Sequence, residues 1–157
     1  MDKANIYLLD TNILLALVRG SALGNYIRQI YRLDDVLRRP LISIVTHGEL
    51  MAMADHRGWG EPKRKSLVAA LQSMVTIDLN DPEILQGYVL VSRASRNAPG
   101  GARVLSDNDK WIAASTRAAG AILLTTDRDF LHLDRGVCAV VYVDPKSGRP
   151  EPKENQL

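Results

Sequence analysis

Four acidic residues stand far apart along the 157-residue chain: Asp10 in IYLLDTN, Glu49 in SIVTHGEL, Asp109 in DNDKWIAA and Asp127 in LLTTDRDF. Each falls where an apolar run ends or a helix is expected to begin. In an open α/β sheet the carboxyl ends of the strands form one rim, so residues there converge whatever their separation in sequence. Carboxylates brought together repel: two unit charges about 6 Å apart at an effective dielectric near 20 cost roughly 3 kcal/mol. Such a cluster calls for a counter-charge, and a divalent cation supplies it. All-oxygen ligands suit the hard ions Mg2+ and Mn2+, whereas zinc prefers histidine and cysteine. His47, His56 and His132 lack zinc-ligand spacing and are expected as surface or helix-cap polar groups. The single cysteine cannot build a sulfur site.

Taken singly, each acid also has a structural explanation. Asp10, Thr11 and Asn12 suit the cap of a helix beginning near Ile13. Thr46-His47-Gly48-Glu49 fits a capping box. Asp107, Asn108 and Asp109 favour a helix start, and Asp127 with Asp129 favours a turn. It is the four together that point to metal chemistry.

The elements that must position them follow from hydrophobic patterning. Asn5 to Leu9 is a short apolar run, the mark of a buried parallel strand, and Ile13 to Val18 follows as a helix. Tyr26, Ile30, Leu33 and Leu37 recur at helical spacing, with Ile27 and Val36 widening the stripe and Pro40 beyond its end. This helix is expected to be buried in the core, and it offers a wall for another chain's amphipathic segment. Leu41 to Val45 reads as the second strand, Thr46 to His56 and Pro62 to Ser73 as helices, and Val75 to Leu79 as a short strand. Asn80-Asp81-Pro82-Glu83 starts a further helix, broken at Asn97-Ala98-Pro99-Gly100-Gly101. Asp109 or its neighbour opens the next, through Trp111, which is expected in the core, to Gly120. Ala121 to Thr125 and Ala139 to Tyr142 complete the strands. Strands separated by helices imply crossovers, hence a mostly parallel sheet with helices on both faces.

The remaining numbers are consistent with one such domain. At 17.3 kDa with 46% hydrophobic and 24% charged residues, the chain buries a core without disulfides. Cys138, flanked by Val137, Ala139 and Val140, reads as a buried, inert thiol in a reducing cytoplasm. The apolar run before Asp10 is too short for a signal peptide or membrane span, so a soluble cytoplasmic protein is expected. Twenty basic and 18 acidic side chains give +2; without the four acids the rest of the chain carries +6, which favours a polyanionic partner. Residues 144–157 are polar and aperiodic, and a mobile tail is expected there beyond a domain of residues 1–143.

The runs IYLLDTNILLALVRG, SIVTHGEL, NDKWIAAS and LLTTDRDF, in this order and spacing, resemble PIN-domain ribonucleases of the VapC toxin type, over about Asn5 to Val143. The resemblance implies a PIN-like three-layer α/β/α domain with a sheet of four to five strands. It implies a Mg2+- or Mn2+-dependent endoribonuclease that uses metal-activated water and leaves 5′-phosphate and 3′-hydroxyl ends. By motif, Asp10, Glu49 and Asp109 become metal-holding catalytic residues. Asp127 takes the fourth place, with Asp129 able to share it, and Thr11, Asn12 and Thr125 orient the carboxylates. The resemblance also implies a cognate antitoxin protein and a homodimer.

RNA has to be held as well as cut. Arg93, Arg96 and Arg103 flank the Pro-Gly-Gly break and Lys110 and Arg117 follow Asp109, so these are the candidate phosphate contacts. One Phe, two Trp and five Tyr provide no evident stacking platform. Two other classes gather aspartates at strand ends. A receiver-like phosphoacceptor module binding Mg2+ would want adjacent acids after the first strand and a late Lys-Pro, but the chain has Asp10-Thr11 and Asp144-Pro145-Lys146. A haloacid-dehalogenase phosphatase would want an acid where Asn12 stands.

Overall fold

The computed structural model describes residues 5–151. Five short parallel strands form one sheet in the order β3-β2-β1-β4-β5: β1 (Tyr7–Leu9), β2 (Leu41–Ser43), β3 (Val75–Ile77), β4 (Ile122–Thr125) and β5 (Ala139–Tyr142). Parallel strands need crossover connections. These are α1 (Thr11–Val18) with α2 (Ala22–Ile30), α3 (Ile44–His56) with α4 (Glu61–Gln72), α5 (Pro82–Arg96) with α6 (Asp107–Ala118), and a 3-10 helix (Arg128–Leu133). The three-layer α/β/α architecture and the strand count match the expectation from sequence.

Successive strand residues face opposite sides of the sheet, and the two cores divide accordingly. Leu9 and Leu124 pack with Ile13, Ile27, Leu50 and Leu67 beneath α1 to α4. Leu8 and Leu123 pack with Val91, Ile112 and Phe130 beneath α5, α6 and the 3-10 helix. Full burial of one such side chain stabilises by about 1.5–3 kcal/mol, so two apolar layers hold the sheet's rim in place. The connections lead outward in opposite directions from the β1–β4 pair. This is the topological switch point, where the carboxyl ends of the strands open a crevice. Asp10 and Thr125 stand there.

Several boundaries differ from the sequence reading. The second strand stops at Ser43, whose hydroxyl accepts from the Val45 N–H at 3.2 Å and caps α3. Ile44 and Val45, β-branched and strand-like, are therefore helical, and Thr46 and Glu49 lie inside α3 rather than forming a capping box. The Tyr26 to Leu37 helix is also shorter than expected. It ends at Ile30, the chain turns at Arg32 with φ 52°, and from that turn Leu33 is buried in the core with Tyr31 half-buried against it. Val36 and Leu37 are 82% and 89% exposed, so the apolar spacing continues where the helix does not. Ser106, rather than an aspartate, caps α6. Trp111 is half-buried and stacks on Tyr88 with ring centroids 4.2 Å apart.

Of the three histidines only His56 is exposed. His47 is half-buried, and half-buried His132 bonds Ser95. Cys138 is buried as expected, and burial pushes its thiol up to about 12. After β5, residues 144–151 form a hydrogen-bonded turn, and residues 152–157 of the expected tail lie outside the described residues. Among the described residues no helix is long and apolar enough to cross a membrane.

Candidate active site

Asp10 leaves β1 in extended conformation and caps α1, its Oδ1 accepting from the Thr11 N–H at 2.8 Å. Its Oδ2 accepts from the Thr125 hydroxyl at 2.7 Å across the β1–β4 pair. Both oxygens are thus fixed on a residue only 4% exposed. Two hydroxyls carry the order outward. Thr125 Oγ1 accepts from the Asp127 N–H at 2.9 Å, and Thr11 donates to Glu49 Oε1 at 3.2 Å with the buried Thr46 hydroxyl 3.4 Å away. A continuous chain of bonds therefore links Asp127, Thr125, Asp10, Thr11 and Glu49.

Asp109 reaches the same rim from the first turn of α6, where the Ser106 hydroxyl accepts from its N–H at 3.1 Å. The adjacent Asn108 amide lies near enough to Glu49 to lower its carboxyl's pKa against the rise that burial imposes. Asp127 caps the 3-10 helix through the Asp129 N–H at 2.8 Å.

Asp10, Glu49 and Asp109 each feel burial and repulsion from another acid of the rim. Burial pushes the Asp10 carboxyl from 3.8 up to about 6; hydrogen bonds from Thr125 and Thr11 oppose that rise, and repulsion from Asp109 and Asp127 adds to it. Glu49 is raised by burial and by Asp109, against bonds from Thr11 and Asn108. Asp109 is raised by burial, against its bond with Ser106 and with repulsion from Asp127 and Asp129. Among the described residues no Lys, Arg or His forms an ion pair with any of the five acids.

Residues 7–136 match the family model of the PIN domain. The chain belongs to the PIN domain family. That membership removes the receiver and dehalogenase readings. No curated protein matches the sequence. Among solved structures, this PIN domain resembles a chain of VapBC2 from Rickettsia felis, solved with a DNA fragment from their promoter, at TM-score 0.69 and 20% identity, covering 86% of this chain and 96% of that one. VapBC-1 from nontypeable Haemophilus influenzae gives 0.67 and 22%, covering 87% and 97%. VapBC-5 from Mycobacterium tuberculosis, a member of the VapBC family of toxin-antitoxin systems, gives 0.60 and 22%, covering 89% and 99%. At these identities the likeness is one of fold.

The donor set of the PIN domain is all oxygen and net negative, and among the described residues it has no paired cation, which fits a hard divalent ion. Among the described residues no three His, Cys, Asp or Glu side chains are grouped closely enough to hold an ion as they stand. An ion bound here would have water filling the gaps between carboxylates, a habit of Mg2+ in particular.

The other predicted residues divide. Thr11 and Thr125 are buried in the hydrogen-bond chain, whereas Asn12 is exposed and outside it. Arg93, Arg96 and Arg103 are exposed on α5 and the loop after it, and burial lowers the His132 pKa, against its bond to the Asp129 backbone and with a smaller push from nearby Arg103. Lys110 is engaged with Asp107 at 3.5 Å and the Tyr88 ring at 5.7 Å. Arg117 donates to the Val137 carbonyl at 3.0 Å, at the amino end of β5 and so at the opposite end of the sheet from the acids. It cannot contact phosphates around this crevice.

Sequence reasoning missed the residues that brace the rim: Thr46, Ser106, Asn108 and the Ser95–His132 pair at 2.9 Å. Hydroxyls two or three residues before a helical acid were the available signal for Ser106. Ser95 and His132 lie 37 residues apart and gave none.

Proposed function

We propose that this PIN domain is a divalent-cation-dependent endoribonuclease, with Asp10, Glu49, Asp109 and Asp127 as the residues that hold Mg2+ or Mn2+. Asp129 is placed to share the role of Asp127. The observation that carries the reading is the buried Asp10, repelled by neighbouring acids and, among the described residues, in no ion pair. A divalent ion bound there supplies a Lewis acid for the phosphodiester and lowers the pKa of water to the neutral range.

The chain's own part is positioning. Thr125 and Thr11 fix the two oxygens of Asp10, Thr11 and Asn108 aim Glu49, and Ser106 sets the turn of helix bearing Asp109. None of these acids attacks phosphorus. They keep the rim negative and the scissile phosphate in register, while Arg93, Arg96 and Arg103 meet phosphates on the α5 side.

The sequence resemblance and the likeness to VapBC chains support a toxin that pairs with an antitoxin protein and forms a homodimer. A cytoplasmic setting suits its free, buried thiol. The test is incubation of purified protein with RNA in Mg2+ or Mn2+. Cleavage yielding 5′-phosphate ends, abolished by EDTA and by Asp10→Asn, is expected. Cleavage that survives both in a highly purified sample would refute the reading.

A further inference from the structure

A nucleic-acid strand meeting five acids needs positive charge beside them, and one of the five predicted cations does not provide it: Arg117 is at the far end of the sheet. Arg128 stands between Asp127 and Asp129 in the chain, at the carboxyl end of β4. Its guanidinium carbon lies 4.5 Å from the ring centre of Tyr142, the last residue of β5. Stacking on that ring holds the planar fork in place, and a guanidinium so held matches phosphate oxygens in pairs. Its side chain is 60% exposed.

The fork is not free. It bonds Glu151 Oε1, a carboxylate brought in by the turn after β5. That turn is anchored at several points. The Asp144 N–H donates to the Arg149 carbonyl at 2.9 Å, and the Glu151 N–H to the Tyr142 carbonyl at 3.2 Å. Val143 bridges Pro150, and Arg149 Nε donates to the Tyr26 hydroxyl at 3.0 Å. Gly148, at φ +72°, rests so close to Tyr26 that an added Cβ would meet its ring at 2.6 Å, so this position needs glycine. The backbone therefore delivers Glu151 to Arg128 as a built contact.

Resting on the ribonuclease reading, we infer that Arg128 is a phosphate contact of the RNA strand on the β5 side of the site, and that Glu151 occupies it as an intramolecular competitor until RNA displaces it. A carboxylate and a phosphate offer a guanidinium the same kind of anionic acceptor oxygens, so the two compete for it. The RNA path then runs from the α5 arginines across the acids to Tyr142.

The test uses the full chain carrying Asp10→Asn, which prevents cleavage, and a fluorescein-labelled single-stranded RNA of mixed sequence read by anisotropy across a salt series. Glu151→Gln should tighten binding by roughly threefold to tenfold, and Arg128→Gln should weaken it. In Arg128→Gln the slope of log K against log salt should fall in magnitude by about 0.7, the loss of one phosphate contact. The double variant should behave as Arg128→Gln alone. Both side chains are exposed, and matching thermal melts confirm that fold is unchanged. If Glu151→Gln binds like its parent, or tightens equally without Arg128, the inference is wrong while the ribonuclease reading stands. If the Asp10→Asn parent binds no RNA and the wild type cuts none, both fall.

Discussion

The two ends of the sheet make opposite kinds of surface from the same strands. At the amino end a cleft of about 410 Å³ opens between Glu83, Thr116, Arg117 and Cys138. Its lining carries one acid, Glu83, while Arg117 bonds the Val137 carbonyl, the Thr116 hydroxyl bonds the Ile112 carbonyl at 2.9 Å, and burial keeps the Cys138 thiol protonated. At the carboxyl end five acids stand about the β1–β4 switch point, and among the described residues no cation forms an ion pair with them. Room alone does not mark a site here. Charge that folding has gathered and left uncompensated does.

The comparison breaks most readily on activity. Asp10→Asn should lower RNA cleavage by about 10³-fold or more, the loss of several kcal/mol of transition-state stabilisation, and Arg117→Ala at the amino end should leave it within about twofold. Initial rates on one labelled RNA decide this, and equal losses would erase the distinction between the two ends.

The pH dependence of stability sharpens it. A carboxyl raised from 3.8 to about 6 binds its proton more tightly in the folded chain than in the unfolded one. Its contribution therefore favours folding below about pH 4, is lost as pH climbs to about 6, and amounts to about 3 kcal/mol. Calorimetric melts without divalent ions should show this loss. Added Mn2+ should raise the melting temperature more at pH 7.5 than at pH 5. An equal rise at both would mean that the ion binds elsewhere.

Thr125→Val should come next. It removes the hydroxyl that holds Asp10 and receives the Asp127 N–H while keeping the side-chain shape, and a loss of about 10–100-fold in metal affinity or cleavage is expected. Thr116→Val, which removes only an intrahelical bond, is the matched control. Smallest should be Asn12→Ala, within about twofold on cleavage, because Asn12 is exposed and takes no part in the hydrogen-bond chain.

What the sequence made legible was whatever depends on local pattern. Asp10 follows an apolar strand, Asp127 follows β4, and Asp109 opens a polar-to-apolar helix, so their common rim was readable from the strand-helix alternation alone. Patterns compatible with two states misled. Ile44 and Val45 fit a strand by side chain, yet a serine cap made them helical. Leu33 to Leu37 keeps helical spacing, yet the chain turns at Arg32. Long-range pairings are invisible to local pattern, and the resemblance implied only that Thr125 orients a carboxylate, not which one. The Thr125–Asp10 bond spans 115 positions and the Ser95–His132 bond 37, so only the fold reveals them. Arg128 lay beside a recognised acid, but its partner Glu151 is 23 residues away in a segment read as featureless.

The most direct test of the carboxyl end as a divalent-cation site is a Mn2+ titration followed by electron paramagnetic resonance at pH 7.5. Saturable binding by the wild type, lost in Asp10→Asn and retained in Arg117→Ala, is the predicted result. Binding that is absent from the wild type, or undiminished by Asp10→Asn, would contradict it.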